Sequence, residues 1–409
     1  MPGSGEAGIA AGISVGDLIE LECGPAAGGG AVIAHHAGRT LLVRHALPGE
    51  RVRARVTEVR AKIVRADAID IRSPSPDRVA PPCPSAHADG CGGCDLQHVR
   101  PEAQRRWKAQ VVQDALRRAG AWNGPIEVDA LAGDPHGLHW RTRIRWSVAP
   151  DGRLGLRRHR SHEVEVVREC LIASPGIAAW RAQDARFPGS SEVCTTQGDD
   201  PQVVVEVDGV RVLGPTRVGE RVGERSWRLS PRTFWQVHPA AASTLTECVM
   251  EMAGPRPGET WWDLYAGAGL FSAPLALAVG HEGRVESVES SAAAVRDARR
   301  ALHDLPQVRL HHESADRWDP GPGPQPSGIV LDPPRSGAGA GVLARIIATK
   351  APRVVYVSCD PMTLGRDLAV LGSGGYRIAR IRAFDTFPMT HHVETVVALV
   401  WDGDRDQIS

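Results

Sequence analysis

From residue 260 onward the sequence alternates strand-like and helix-like segments, and that rhythm restricts the C-terminal part of the chain to a doubly wound, mostly parallel sheet. Strand patterns fall at 260–264, 284–289, 308–312, 328–332 and 354–357. Helix patterns fall at 239–252, 271–279, 292–302, 341–349 and 363–371, and a hairpin through Val400 closes the chain. The preceding residues follow other rules. Residues 16–71 read as about five short strands with a Gly28-Gly29-Gly30 turn, which suits a small OB-like barrel, a fold often used on nucleic acid. Ser73-Pro74-Ser75-Pro76 and Pro81-Pro82 form a linker. Residues 101–119 predict a helix with proline in its first turn and Gly120 at its end. Its apolar positions Trp107, Val111, Ala115 and Ala119 recur at helical spacing, and Arg105, Arg106, Arg117 and Arg118 lie off that stripe. Residues 140–213 alternate as an antiparallel sheet does. A chain of 409 residues exceeds one ordinary core. The expected division is a barrel at 1–72, a central α/β part at 73–233 and a Rossmann-like part at 234–409.

Composition excludes several classes. There is no run of about eighteen apolar residues to span a membrane. The start, Met1-Pro2-Gly3-Ser4-Gly5-Glu6, lacks the basic and apolar regions of a signal peptide, so a cytoplasmic location is expected. Formal charge is zero, which gives no global support for a nucleic-acid partner. Arginine supplies nearly all the positive charge, since the lysines are Lys62, Lys108 and Lys350. Arg141, Arg143 and Arg145 alternate and are expected on one face of a strand. Arg157-Arg158-His159-Arg160 follows a turn at Asp151-Gly152. These residues read either as a solvated hairpin or as one facing RNA. The 8 cysteines argue against a disulfide scaffold in the cytoplasm. Cys83, Cys91, Cys94 and Cys170 form a Cys-x7-Cys-x2-Cys…Cys set able to bind metal as four thiolates. Spacing does not choose between zinc and an iron–sulfur cluster.

Three features meet at the predicted carboxyl ends of the strands, where open α/β sheets bind ligands. Asp263-Leu-Tyr-Ala-Gly-Ala-Gly269 joins a strand to a helix, and its glycines allow close backbone approach. Glu289 closes the next strand about twenty residues on, where a carboxylate can accept from ribose hydroxyls. Ser272 stands where the dinucleotide fingerprint has its third glycine, which favours S-adenosylmethionine over NAD. Asp332-Pro333-Pro334-Arg335 ends one apolar strand. Val354-Val355-Tyr356-Val357-Ser358-Cys359-Asp360-Pro361 ends another, with a thiol at its tip that alone would more often be a packing residue.

The glycine turn through Ser272, Asp332-Pro-Pro-Arg335, Ser358-Cys-Asp-Pro361 with Thr363 and Arg366-Asp367, and Phe384-Asp-Thr-Phe-Pro-Met-Thr-His-His-Val-Glu394 resemble the RNA 5-methyluridine methyltransferases. The resemblance spans nearly the whole chain and implies an S-adenosylmethionine enzyme modifying uridine C5 in tRNA or in large-subunit (23S) ribosomal RNA. It implies a TRAM domain at the N-terminus and a class I methyltransferase domain at the C-terminus. Cys83, Cys91, Cys94 and Cys170 would be ligands of a [4Fe-4S] cluster, with zinc the alternative. Cys359 would be the nucleophile and Glu394 the general base, with Gln236, Tyr265, Glu289 and Asp332 contacting the cofactor. His238 stands where the family usually has asparagine, and Ala266 where it often has cysteine. A monomer is expected. Alternatives are a cytosine-C5 methyltransferase and a non-catalytic RNA-binding or assembly factor with the same fold.

Overall fold

The computed structural model describes residues 12–133, 135–321 and 323–402. Short strands divided by turns build its N-terminal part: β1 (Leu18–Glu22), β2 (Ala26–Ala27), β3 (Ala31–His36), β4 (Arg39–Arg44), β5 (Arg51–Val59) and β6 (Val64–Ser73). They pair in the order β1-β5-β6-β4-β3-β2. In β5 the alternation decides the faces, with Val52, Ala54 and Val56 buried and the arginines between them turned outward. Helix α1 (Pro101–Arg118) begins with Pro101, whose missing N–H costs nothing in the first turn. Its Ala103 and Trp107 complete the barrel core, and its Val112 and Leu116 enter the core of the C-terminal sheet. One helix therefore fastens both ends of the molecule together.

After β7 (Val128–Ala130) comes an antiparallel sheet made of β8 (Arg143–Val148), β9 (Leu154–Arg157), β10 (Val164–Val166), β11 (Glu192–Gln197), β12 (Val203–Val207) and β13 (Val210–Leu213). Its order is β10-β9-β8-β11-β12-β13, with α2 (Pro175–Arg181) packed on it. Trp146 is buried at its centre and donates from Nε1 to Thr195 Oγ1 at 3.0 Å, so the indole loses no hydrogen bond on leaving water. A hairpin of β14 (Val218–Val222) and β15 (Arg225–Leu229) leads out of this unit.

The C-terminal part contains α3 (Ala241–Ala253), β16 (Thr260–Leu264), α4 (Ser272–Val279), β17 (Arg284–Glu289), α5 (Ala292–Ala301), β18 (Val308–His312) and β19 (Gly328–Leu331). It continues through α6 (Ala340–Thr349), β20 (Arg353–Ser358), α7 (Pro361–Ser373), β21 (Tyr376–Asp385) and β22 (Glu394–Trp401). The strands form one sheet ordered β18-β17-β16-β19-β20-β22-β21-β7. β16 to β20 run parallel, and β22 inserts antiparallel between β20 and β21. Helices cover both faces, so Trp261 enters one core and its neighbour Trp262 the other. Burial on both sides explains why Gly328-Ile-Val-Leu331 is apolar throughout instead of alternating. The central segment is not sealed off, because β7 lies at the edge of this sheet, parallel to β21. Among the described residues no helix is long and apolar enough to cross a membrane.

Candidate active site

Strand register brings the candidate nucleophile and base together. In the antiparallel pair β20–β22, Ser358 stands opposite Thr395. One step further along each strand, Cys359 comes level with Glu394, which is itself paired to Phe384 of β21. On the other side of β20, Tyr356 aligns with Leu331, and Asp332 follows at once. Leu331 aligns in turn with Leu264, which precedes Tyr265. Tyr265, Asp332, Cys359 and Glu394 thus share one rim of the sheet. β20 stops there because Asp360 caps α7, accepting from Thr363 N at 2.9 Å, with Pro361 in the first turn. Cys359 is left between a strand end and a helix N-terminus, whose partial positive charge favours a thiolate.

The surrounding charges oppose that preference. Burial pushes the Cys359 thiol up to about 11, and Glu394 and Asp332 add to the effect. Arg335 counters them, both by charge and by a hydrogen bond to the thiol. Burial also raises Glu394 well above the usual carboxylate range, with Asp332 reinforcing and Arg335 opposing. Asp332 is pushed up to about 7 by its recessed position and by Asp263, although part of its surface still meets solvent. Carboxyl groups crowded this way hold protons between them near neutrality. Glu394, whose residue is only 3% exposed, is placed to gain or lose a proton beside the thiol.

The glycine turn lies along the same rim. Gly267 N donates to Glu289 Oε2 at 2.9 Å, so the turn and the trailing acid meet as the sequence suggests. Gly269 has φ +83, and a Cβ there would lie 2.6 Å from Leu302 Cδ1; only glycine fits. Tyr265 itself has φ +62, and its hydroxyl donates to Ala338 O at 2.7 Å. Ser272 replaces the third glycine with a function of its own, donating to Asp263 Oδ2 at 2.5 Å. Asp263 is 1% exposed, its Oδ1 has no partner, and burial raises the acid to about 7. A buried carboxylate oxygen beside a glycine turn fits a cofactor that brings a positively charged or hydroxyl group. Gln236 is buried after β15. Two residues on, His238 Nδ1 accepts from Ala240 N at 3.2 Å, the turn bond that an asparagine oxygen would make. Ala266 is buried and donates its N–H to Val288 O.

Cys83, Cys91, Cys94 and Cys170 line one small, mostly apolar cavity with Arg141, Leu156 and Ile172. Among the described residues no three His, Cys, Asp or Glu side chains converge closely enough to hold a single metal ion. Four thiols lining one cavity are a donor set suited to either a zinc ion or an iron–sulfur cluster.

The arginine hairpin departs from expectation. Arg143 is enclosed, donating to Thr233 O at 2.5 Å and pairing with Glu220 at 3.3 Å. Arg141 faces the cysteine cavity, and Arg145 alone of the three is exposed. Arg143 packs against the segment leading to α3 and Arg141 against the cysteines, so the three are not presented together as cations to RNA. Arg158 pairs with Glu163 and Glu165, and on α1 Arg106 and Arg117 pair with Asp77 and Asp114.

Two residues without a role from sequence stand close to the site. Lys108 is fully buried on α1, 2.5 Å from Asp385 and 3.0 Å from Phe387 O, and so anchors the loop that delivers Glu394. The only sign of this is its place on the buried stripe with Gln104 and Val112. Arg335 belongs to a quoted motif, yet nothing in the motif shows what it touches.

The family model described as tRNA (Uracil-5-)-methyltransferase matches residues 325–401, and the TRAM domain model matches residues 24–69. An uncharacterized RNA methyltransferase of Streptomyces avermitilis is 42% identical over 94% of this chain and 98% of that protein. One from Corynebacterium diphtheriae is 34% identical over 94% of this chain and 97% of its own length. The structure of Pyrococcus abyssi tRNA (uracil-54, C5)-methyltransferase in complex with S-adenosyl-L-homocysteine superposes with TM-score 0.72 at 22% identity. That match covers 93% of this chain and all of the other, and it establishes a common fold.

Proposed function

Since the chain belongs to the RNA (uracil-5-)-methyltransferase family, we propose that it methylates C5 of a uridine in tRNA or 23S ribosomal RNA through a covalent Cys359–C6 adduct. The observation that carries this reading is the β20–β22 register, which sets the Cys359 thiol level with the Glu394 carboxyl at a solvent-reached rim. Uracil C5 is a weak nucleophile, and addition of Cys359 Sγ to C6 moves electron density onto C5, splitting one hard step into easier ones. Bound S-adenosylmethionine supplies the electrophilic methyl group. Glu394 then accepts the C5 proton. The electron pair of that C–H bond restores the C5–C6 double bond, and the S–C6 bond breaks to release the thiolate.

Gln236, Tyr265, Glu289 and Asp332 would hold the donor, an assignment supported by the Gly267–Glu289 contact and by the unpartnered oxygen of Asp263. The four-cysteine cavity would hold a [4Fe-4S] cluster, with zinc the alternative, a reading supported by the shared lining of the four thiols. Its distance in sequence from Cys359 suits a structural or RNA-positioning role. The target uridine must leave its stack to reach a thiol at the sheet rim. We place the reaction in the cytoplasm, with the enzyme acting as a monomer. Mapping 5-methyluridine across tRNA and ribosomal RNA, with and without the gene, tests the reading. It requires loss at one defined site, and loss at none would reject it.

A further inference from the structure

Two carboxyl groups, Glu394 and Asp332, and one cation, Arg335, face the Cys359 thiol, and that cation is not free to wander. The Arg335 guanidinium donates from Nη2 to His392 Nε2 at 3.1 Å, and from there it acts on the Cys359 thiol to favour its ionisation. To accept from a guanidinium, the imidazole must be neutral with its proton on Nδ1. Its surroundings enforce that state, since burial and then the neighbouring His391 and Arg335 lower His392 to about 3. The ring is also wedged in place. It lies 4.0 Å from the ring of His391 and edge-on to Phe387 at 5.8 Å. His391 is held by Asp95 Oδ2 at 2.6 Å from Nδ1, and Asp95 pairs with Arg44 of the barrel at 3.4 Å. The backbone N–H groups of Asp95 and Leu96 both donate to Met389 O, closing the loop around the two histidines.

We propose that Arg335 is a further catalytic residue, closing on Cys359 to stabilise its thiolate, and that His392 is the positioning residue that aims it. The chain of contacts runs from the barrel through the cysteine segment to the nucleophile, although Arg335 and His392 lie 57 residues apart in sequence. The charged and titratable groups facing Cys359 are Glu394 from β22 and Asp332 and Arg335 from the loop after β19; only Arg335 favours the ionised thiol. An exposed guanidinium could instead serve to grip an RNA phosphate. The two roles differ in what they do to the thiol when no RNA is present.

This inference rests on Cys359 being the nucleophile, and its test reads the thiol directly, so it can fail while methyl transfer through Cys359 stands. The full chain is alkylated with iodoacetamide at fixed pH values from 7 to 10, below the thiol's midpoint, where the rate on the peptide carrying Cys359, followed by mass spectrometry, falls about tenfold for each unit that the midpoint rises. In Arg335→Met the midpoint rises by about one pH unit, which slows alkylation about tenfold at pH 8. Arg335→Lys keeps the charge but not the planar fork and gives an intermediate rise. His392→Phe shifts the midpoint in the same direction, and His392→Gln, which retains an acceptor, restores it toward the wild-type value. A wild-type midpoint in Arg335→Met, with thermal melting retained, overturns the catalytic role and leaves phosphate binding. A wild-type midpoint in His392→Phe overturns the positioning role. If Arg335→Met does not fold, the Arg335→Lys profile decides, and an unshifted midpoint there overturns the proposal.

Discussion

At Cys359, burial and two carboxyl groups keep the proton on sulfur, and a helix N-terminus and one arginine act to release it. In the proposed mechanism the thiolate must form before C6 can be attacked, and Glu394, itself raised by burial, must ionise before it can take the C5 proton. Both groups have raised values, so both active forms grow as pH rises. Single-turnover methyl transfer should therefore climb between pH 6.5 and 9, and a flat profile would contradict thiolate formation as a controlling step. Glu394→Gln should slow turnover by about 10²- to 10⁴-fold and leave a methylated, protein-bound RNA that accumulates on denaturing gels. Rapid release of free methylated RNA by that variant would assign the base elsewhere. Cys359 and Glu394 could be singled out as candidates because they sit in distinctive motifs at strand ends. The Arg335–His392 hydrogen bond could not, because it joins two loops that only the folded sheet brings together.

α1 joins the barrel core to the sheet core and carries Lys108, whose charge is enclosed against Asp385. Removing one partner of a buried pair leaves the other uncompensated, which typically costs about 3–5 kcal/mol. Lys108→Met and Asp385→Asn should each lower the denaturation midpoint strongly, and the double variant should lose less than the sum. Additive losses in urea unfolding would show that the pair is not coupled. At this scale the sequence predicted the βα alternation well, because strands buried on both faces and capped helices leave local signatures. It placed α1 and β7 in a central unit, whereas β7 extends the C-terminal sheet. Three residues of strand carry too little pattern to show which edge they join. The arginines at 141–145 show the complementary limit, since alternation gives a face but not what covers it.

Over the whole molecule, burial holds several histidines neutral: His45, His98 and His392 are lowered to about 3, and His238 to about 4. In the unfolded chain each takes a proton near pH 6.5. Between that value and the folded ones the unfolded state binds more protons at these sites, so the histidines' own contribution is complete above about pH 6.5 and falls as pH drops. The loss is up to about 1.4 kcal/mol per histidine for each pH unit. The raised carboxyl groups of Asp263, Asp332 and Glu394 act with the opposite sign over the same range, so the histidine share is read by difference. Between pH 7.5 and 5.5 the urea midpoint of His98→Gln should fall less, or rise more, than that of the wild-type protein, and an equal change would contradict this.

The central claim is that Cys359 bonds to the uridine it methylates. Full-length protein supplied with S-adenosylmethionine and total RNA containing 5-fluorouridine should stall after methyl addition, because fluorine at C5 cannot leave as a proton does. Digestion and mass spectrometry should then find a methylated fluorouridine on the peptide carrying Cys359, and none on Cys359→Ala protein. Methyl transfer to uridine RNA that survives Cys359→Ala, or an adduct on another residue, would contradict the account.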